Sequence, residues 1–278
     1  MNSISHPTGA KALSLPALGL SLALACPALA ATSLSYDFNG ETNGAFFTGG
    51  VTGWTQDNPN PTAFGQVFPI AYIGQKNLGA GSSLVGQLGT ELANQADNSP
   101  TTVSGAFEFT GTDTISPQVT LNLGIIDNDA DSFTGRDAFS VAVTAGASQT
   151  IAQINFTPTA GDVTTWDVSV GVNGDPVTAT GAKVTAVAGY AFQFDFGPSA
   201  TSILYGSATT GANVLVANLD SVSNYGITGI AMTHTPLAAA GTSLNYLVFD
   251  DIVASVPEPS TFALFLLGLP FLTARRRS

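Results

Sequence analysis

Cysteine is almost absent from this sequence: Cys26 is the only one in 278 residues. That excludes a disulfide-stapled scaffold and any zinc site built on several thiolates. Basic residues are scarce as well, with 7 Lys and Arg against 19 Asp and Glu and a formal net charge of −12. A nucleic-acid binder needs clustered cations to neutralise phosphates, so that class is excluded. Only 9% of residues are charged, yet 44% are hydrophobic. A disordered acidic chain lacks that much apolar material, so a packed core is expected.

The N-terminus has the layout of a secretory signal peptide over residues 1–30. Lys11 opens it, and an apolar stretch runs from Ala12 to Ala25, broken by Ser14, Pro16, Gly19 and Ser21. Ala28-Leu29-Ala30 supplies a small-x-small cleavage site, which places the cut after Ala30. A buried N-terminal helix is the alternative, and Pro16 and Pro27 argue against it. A lipoprotein cut before Cys26 is the third reading. The leucine of Ala23-Leu24-Ala25 stands one place too late for the usual lipobox. Export of this kind implies the Sec translocon and signal peptidase as partners.

The other end has three parts: Pro257-Glu258-Pro259, an apolar run from Thr261 to Ala274, and the cluster Arg275, Arg276 and Arg277. The run of 14 residues spans about 21 Å as helix, short for a hydrocarbon core of ~30 Å. Local thinning of the bilayer and snorkelling arginines extend its reach. Three arginines hold their side cytoplasmic, which leaves the rest of the chain on the far side, in agreement with the N-terminal signal. A plain membrane anchor is the alternative. This tripartite tail resembles the PEP-CTERM sorting signal of Gram-negative bacteria, over the last 22 residues only. The resemblance implies recognition by an exosortase, a membrane-embedded cysteine transpeptidase. The protein is then held briefly in the inner membrane with its C-terminus cytoplasmic, and afterwards released or attached at the cell surface or in the extracellular matrix. It also implies association with exopolysaccharide and biofilm. It says nothing about the fold of residues 31–256.

Trimming both ends leaves eighteen acids against three bases, Lys76, Arg136 and Lys183, a net of about −15. No cysteine remains, and His234 becomes the sole histidine. Thiol nucleophiles and multi-imidazole zinc sites are thereby excluded. A Ser-His-Asp triad would depend on His234, and no Gly-x-Ser-x-Gly is present. His234 falls at a strand end and reads as a surface strand residue rather than a base.

Residues 31–256 alternate with period two. Val103, Gly105, Phe107 and Phe109 form one such set; Val119, Leu121, Leu123 and Ile125 another; Trp166, Val168, Val170 and Val172 a third; Tyr190, Phe192, Phe194 and Phe196 a fourth. Leu244 to Val253 is apolar on both faces, with Leu244, Tyr246, Val248 and Ile252 on one and Leu247, Phe249 and Val253 on the other. That pattern fits a central, doubly buried strand. Asn39-Gly40, Asn43-Gly44 and Asn173-Gly174 mark turns. No long helix is expected beyond a short turn at Gly89–Gln95. Eleven or twelve strands in one domain point to an all-β, two-sheet antiparallel sandwich of jelly-roll type, with the signal helix before it and the short transmembrane helix after it. The first strand, Leu34–Phe38, and the last are placed side by side. Tyr36-Asp37-Phe38-Asn39 and Val248-Phe249-Asp250-Asp251-Ile252 resemble the ends of jelly-roll carbohydrate-binding and lectin-like modules.

The densest polar chemistry is Asp127-Asn128-Asp129-Ala130-Asp131, with Asp137 six residues on. Calcium takes six to eight oxygen ligands at ~2.3–2.6 Å, and these aspartates are the first candidates to hold it. The spacing is not that of an EF-hand, because Ser132 stands at the turn glycine and Ala138 at the bidentate glutamate. A solvated hairpin loop, with Arg136 in a surface ion pair, is the alternative. A weaker calcium set is Asp37 with Asn39, Glu41 and Asp250, where first and last strands meet. There the alternative is that Asp250 takes backbone hydrogen bonds and Asp251 faces solvent.

Three functions compete. A non-catalytic surface or matrix protein suits the low charge density and the Thr, Ser, Gly and Ala content. A calcium-dependent carbohydrate-binding module would stack sugars on exposed rings. Trp54, in the turn-rich stretch Gly53–Pro59, is the candidate ring, and a staple under a loop is its alternative. A jelly-roll glycoside hydrolase or lyase needs two carboxyls ~5–9.5 Å apart across a cleft, and no motif pairs any here.

Overall fold

The computed structural model describes residues 33–57, 62–63, 66–67, 71–78, 82–89, 100–106, 117–127, 136–145, 149–172, 178–197, 199–220, 227–237 and 245–255. Residues 1–30, expected as a signal peptide, residues 257–278, expected as a sorting tail, and the centre of the acidic loop lie outside them, as do Phe107, Phe109 and residues 90–95 of the expected helical turn.

Seventeen strands occur among the described residues. They are β1 (Ser33–Tyr36), β2 (Trp54–Gln56), β3 (Thr62–Ala63), β4 (Gln66–Val67), β5 (Ala71–Asn77), β6 (Ser82–Gly89), β7 (Thr101–Ala106), β8 (Gln118–Asp127), β9 (Ala138–Ala145), β10 (Gln149–Pro158), β11 (Thr165–Val172), β12 (Thr178–Thr185), β13 (Gly189–Phe196), β14 (Ala200–Ser207), β15 (Val214–Asp220), β16 (Gly229–Thr235) and β17 (Asn245–Ser255). The expected count is corrected upward because several are two to four residues long. Such short pieces carry too little alternation to stand out in sequence.

The strands build an all-β, two-sheet antiparallel sandwich of jelly-roll type. One sheet runs β15-β14-β13-β8-β17-β6-β5, with β1 beside the second half of β17; the other runs β12-β11-β10-β9-β16-β7-β2. Period-two alternation explains which face each strand buries. Val119, Leu121, Leu123 and Ile125 of β8 and Phe192, Phe194 and Phe196 of β13 line one inner face. Val141 and Val143 of β9, Ile154 and Phe156 of β10, and Trp166, Val168 and Val170 of β11 line the other. Phe156 meets Phe192 edge-on across the interface at 5.6 Å between centroids, a geometry that contributes about 0.5–1.5 kcal/mol beyond burial.

β17 is central, as its apolar pattern requires. It pairs with β8 along one side; along the other it pairs first with β6 (Tyr246–Phe249) and then with β1 (Ile252–Ser255). The partner changes at Asp250-Asp251. The register against β8 slips there, so that Asp250 faces Asn122 while Val253 faces Thr120. Three steps on one strand against two on the other is a β-bulge. Asp251 takes the left-handed conformation, with φ 49°. One inserted residue reverses the faces beyond it: Ile252 and Ala254 join Leu247 and Phe249 in the main core. Ile252 was expected beside Tyr246 and Val248, and the bulge is why it is not. Tyr246 and Val248 lie on the opposite face, in a small second cluster with Leu78 and Val85. Leu78, just past β5, sits over that face. A Cβ on Gly189 would come within 2.0 Å of the Leu78 carbonyl oxygen, so this crossing requires glycine beneath it.

Candidate functional site

The polar groups that the sequence singled out fall in two places. The first is the base of the β8–β9 connection, where the chain passes from one sheet to the other. Asp127 ends β8 and Arg136 precedes β9. Arg136 Nη2 donates to Asp127 Oδ2 at 3.0 Å, with both side chains about 5% exposed. Arg136 Nη1 donates to the Asp162 carbonyl at 2.8 Å, and its guanidinium lies over the Trp166 ring at 4.5 Å. The surface ion pair expected for Arg136 is thus corrected to an enclosed one, covered by the β10–β11 turn and the indole.

Asp137, the next residue, is a hub. Its Oδ2 lies 2.8 Å from His234 Nε2, and its Oδ1 accepts from the Leu237 backbone N–H at 3.0 Å. Its own backbone N–H donates to Asn245 Oδ1 at 3.2 Å, and its carbonyl accepts from Trp166 Nε1 at 3.0 Å. Asp137, His234 and Asn245 are each about 1% exposed. The surface position expected for His234 is corrected: it closes β16 from inside, packed on Phe139. Sequence could not find this pair, because the partners stand 97 residues apart.

The four-aspartate calcium set is therefore divided. Asp127 is committed to Arg136 and Asp137 to His234, and Asp129 and Asp131 lie outside the described residues. Asp127 and Asp137 do not fit a calcium site as they stand, since a cation would have to displace the guanidinium and the imidazole.

The second place is the junction of β17, β1 and β6. Asp250 Oδ1 accepts from the Phe38 N–H at 3.4 Å and Oδ2 from Ser83 Oγ at 3.1 Å. Asp250 fills the gap where β6 leaves β17 and β1 joins it. Burial, the largest cause, raises its carboxyl above the usual aspartate range. Asp251 faces solvent and accepts from Asn122 Nδ2 at 2.9 Å. Asp37 and Asn39 are exposed, and Asn39 Oδ1 accepts from the Leu84 N–H at 3.3 Å. Among the described residues, no three His, Cys, Asp or Glu side chains converge as a metal set would.

Trp54 is 4% exposed. Tyr36, Phe38, Phe47 and Phe249 surround it at 5.5–5.7 Å between centroids. Sugar stacking on Trp54 is corrected accordingly, because protein rings already occupy the space a sugar would need. Gly105 on β7 and Gly86 on β6 make room for this cluster. A Cβ on Gly105 would come within 2.8 Å of the Trp54 ring, and one on Gly86 within 2.3 Å of Phe249.

No protein-family model and no curated protein matches the chain. Solved structures do. The CBM2 module of the evolved Dit protein of Lactobacillus casei BL23 phage J-1 is 14% identical, covering 82% of this chain and 90% of that one, with TM-score 0.44. Basic winged bean lectin with Tn-antigen is 8% identical, covering 82% and 100%, with TM-score 0.47. An alginate lyase in complex with alginate tetrasaccharide is 12% identical, covering 80% and 96%, with TM-score 0.45.

Proposed function

We propose that this chain is an exported, non-catalytic protein of the cell surface or extracellular matrix, sorted by an exosortase-type transpeptidase and associated with exopolysaccharide. The observation that carries this reading is the tail: Pro257-Glu258-Pro259, the apolar run to Ala274 and Arg275–Arg277, on a chain that opens with a signal-peptide layout. A non-catalytic role is supported by the use of the one histidine of residues 31–256. His234 is enclosed and engaged with Asp137, where a substrate does not reach it. Polysaccharide is the favoured partner because a base-poor polypeptide of about −15 repels anionic polymers and leaves neutral ones as compatible company.

Intact-mass analysis of the protein recovered from its native host tests this reading. The expected mass lacks residues 1–30 and the tail from Pro257 onward. Recovery of the full-length chain from the cytosol overturns it. Pull-down on the host's own exopolysaccharide then tests the partner, with retention expected and free passage through the column counting against it.

A further inference from the structure

The two ends of the sandwich differ in what leaves them. β1 and β17 are antiparallel neighbours with Ser33 opposite Ser255. The chain therefore enters the fold and departs from it at adjacent points on one end. Seven residues separate Ser33 from Ala25, the last apolar residue of the N-terminal stretch, and five separate Ser255 from Thr261, the first residue of the C-terminal run. At no more than ~3.6 Å per residue, the shorter connection reaches about 20 Å.

We infer that the end of the sandwich carrying Ser33 and Ser255 faces the lipid bilayer while the tail is inserted, and that the opposite end points away from it. This rests on the reading of residues 257–278 as a membrane-inserted sorting tail. The placement of the ends follows from register. Ser255 faces Gln118 on β8, and Gln118 faces Asp195 on β13, so the β13–β14 turn with exposed Ser199 lies at the bilayer end. The β14–β15 turn with exposed Thr210 lies beyond the other end of β14. β14 has eight residues, which at ~3.3 Å each separates the two turns by about 26 Å. The five-residue connection is shorter than that strand, so an inserted tail keeps its own end closest to the membrane. After the cut at Ala30 the tail alone maintains the orientation.

The test uses the full chain with Cys26→Ser and one added cysteine, Ser199→Cys or Thr210→Cys. Each variant is reconstituted into phosphatidylcholine–phosphatidylglycerol vesicles, labelled with a donor dye, and read by energy transfer to a headgroup-linked acceptor. Retention on the vesicles after alkaline washing, compared with the same chain ending at Val256, reports tail insertion separately. Urea midpoints equal to the parent's are required of both variants, and Ser207→Cys replaces Thr210→Cys should that variant unfold. Retention with several-fold stronger transfer from position 199 than from the far turn is the expected result. Retention with equal or reversed transfer overturns the orientation and leaves the tail reading standing. Loss from the vesicles overturns both.

Discussion

Asp137 and His234 meet at 2.8 Å inside the sandwich and tie the start of β9 to the end of β16. The same carboxylate also holds the backbone of Leu237, and the same residue's backbone holds Asn245 and Trp166. One side chain and its peptide thus fix four segments of chain from both sheets. Replacing Asp137 by Ala leaves the imidazole and the Leu237 N–H without their partner, a loss of about 3–5 kcal/mol by analogy with broken buried pairs. Urea unfolding measures it. His234→Ala is expected to cost less, and the double variant to fall short of the sum, with a coupling of about 0.5–3 kcal/mol.

Asp127→Ala is expected to cost about 3–5 kcal/mol, because it strands an enclosed guanidinium. Adding Arg136→Met should recover much of that loss. The recovery distinguishes an ion-pair role from metal ligation: the loss is the same with millimolar calcium as with a chelator if Arg136 is the partner. A thermal shift seen only with calcium would contradict this assignment.

Gly105→Ala and Gly86→Ala push a methyl group into the Trp54–Phe249 cluster, at an expected cost of about 1–3 kcal/mol. Trp54 emission should move to longer wavelength as packing loosens. Gly40→Ala, where a Cβ meets open space, is the control and should leave the emission unchanged.

Asp250 has a pH signature. Its carboxyl titrates above the usual range in the fold, so the native state binds the proton more tightly than the unfolded chain does. The ionised form therefore opposes folding above the raised value, and that opposition is relieved as pH falls through it toward the ordinary aspartate range. Asn at this position carries no such charge. The stability of Asp250→Asn relative to the parent should be highest at neutral pH and decline into acid, as read from melting temperatures between about pH 3.5 and 7.

Val187 is β-branched, 66% exposed and held at φ 68°. Its side chain gives little burial in return for a strained backbone. Val187→Gly should stabilise by about 1 kcal/mol after the larger unfolded-state entropy of glycine is counted. A lower melting temperature would show that the valine is needed for packing.

Much of this architecture was legible in the period-two sets on β8, β11 and β13, because each strand buries one face and alternation alone specifies which. The central position of β17 was legible for the same reason, since both of its faces are apolar. What alternation could not reveal was where it breaks. The bulge at Asp250-Asp251 reassigns Ile252, and it depends on a change of neighbour from β6 to β1 that no local window contains. For Trp54 the turn-rich surroundings left a sugar-stacking ring and a staple under a loop both open, and Gly105, some fifty positions on, is what decides for burial. Arg136, Asp137 and His234 were visible as residue types, but their union requires the two sheets to be already stacked.

The strand at the centre of the larger sheet is also the last in chain order among the described residues. Phe38 and Asp250, which share a hydrogen bond, stand 212 residues apart. Until β17 arrives, β8 and β6 have no common neighbour and β1 has nothing to join. Pairings between such distant parts are slow to form. A nascent chain of this design stays open until Asn245–Ser255 has been made. It closes only when β17 is free to pair, so a polypeptide that stops a dozen residues before Val256 is expected to be a substrate for proteases rather than a smaller working protein.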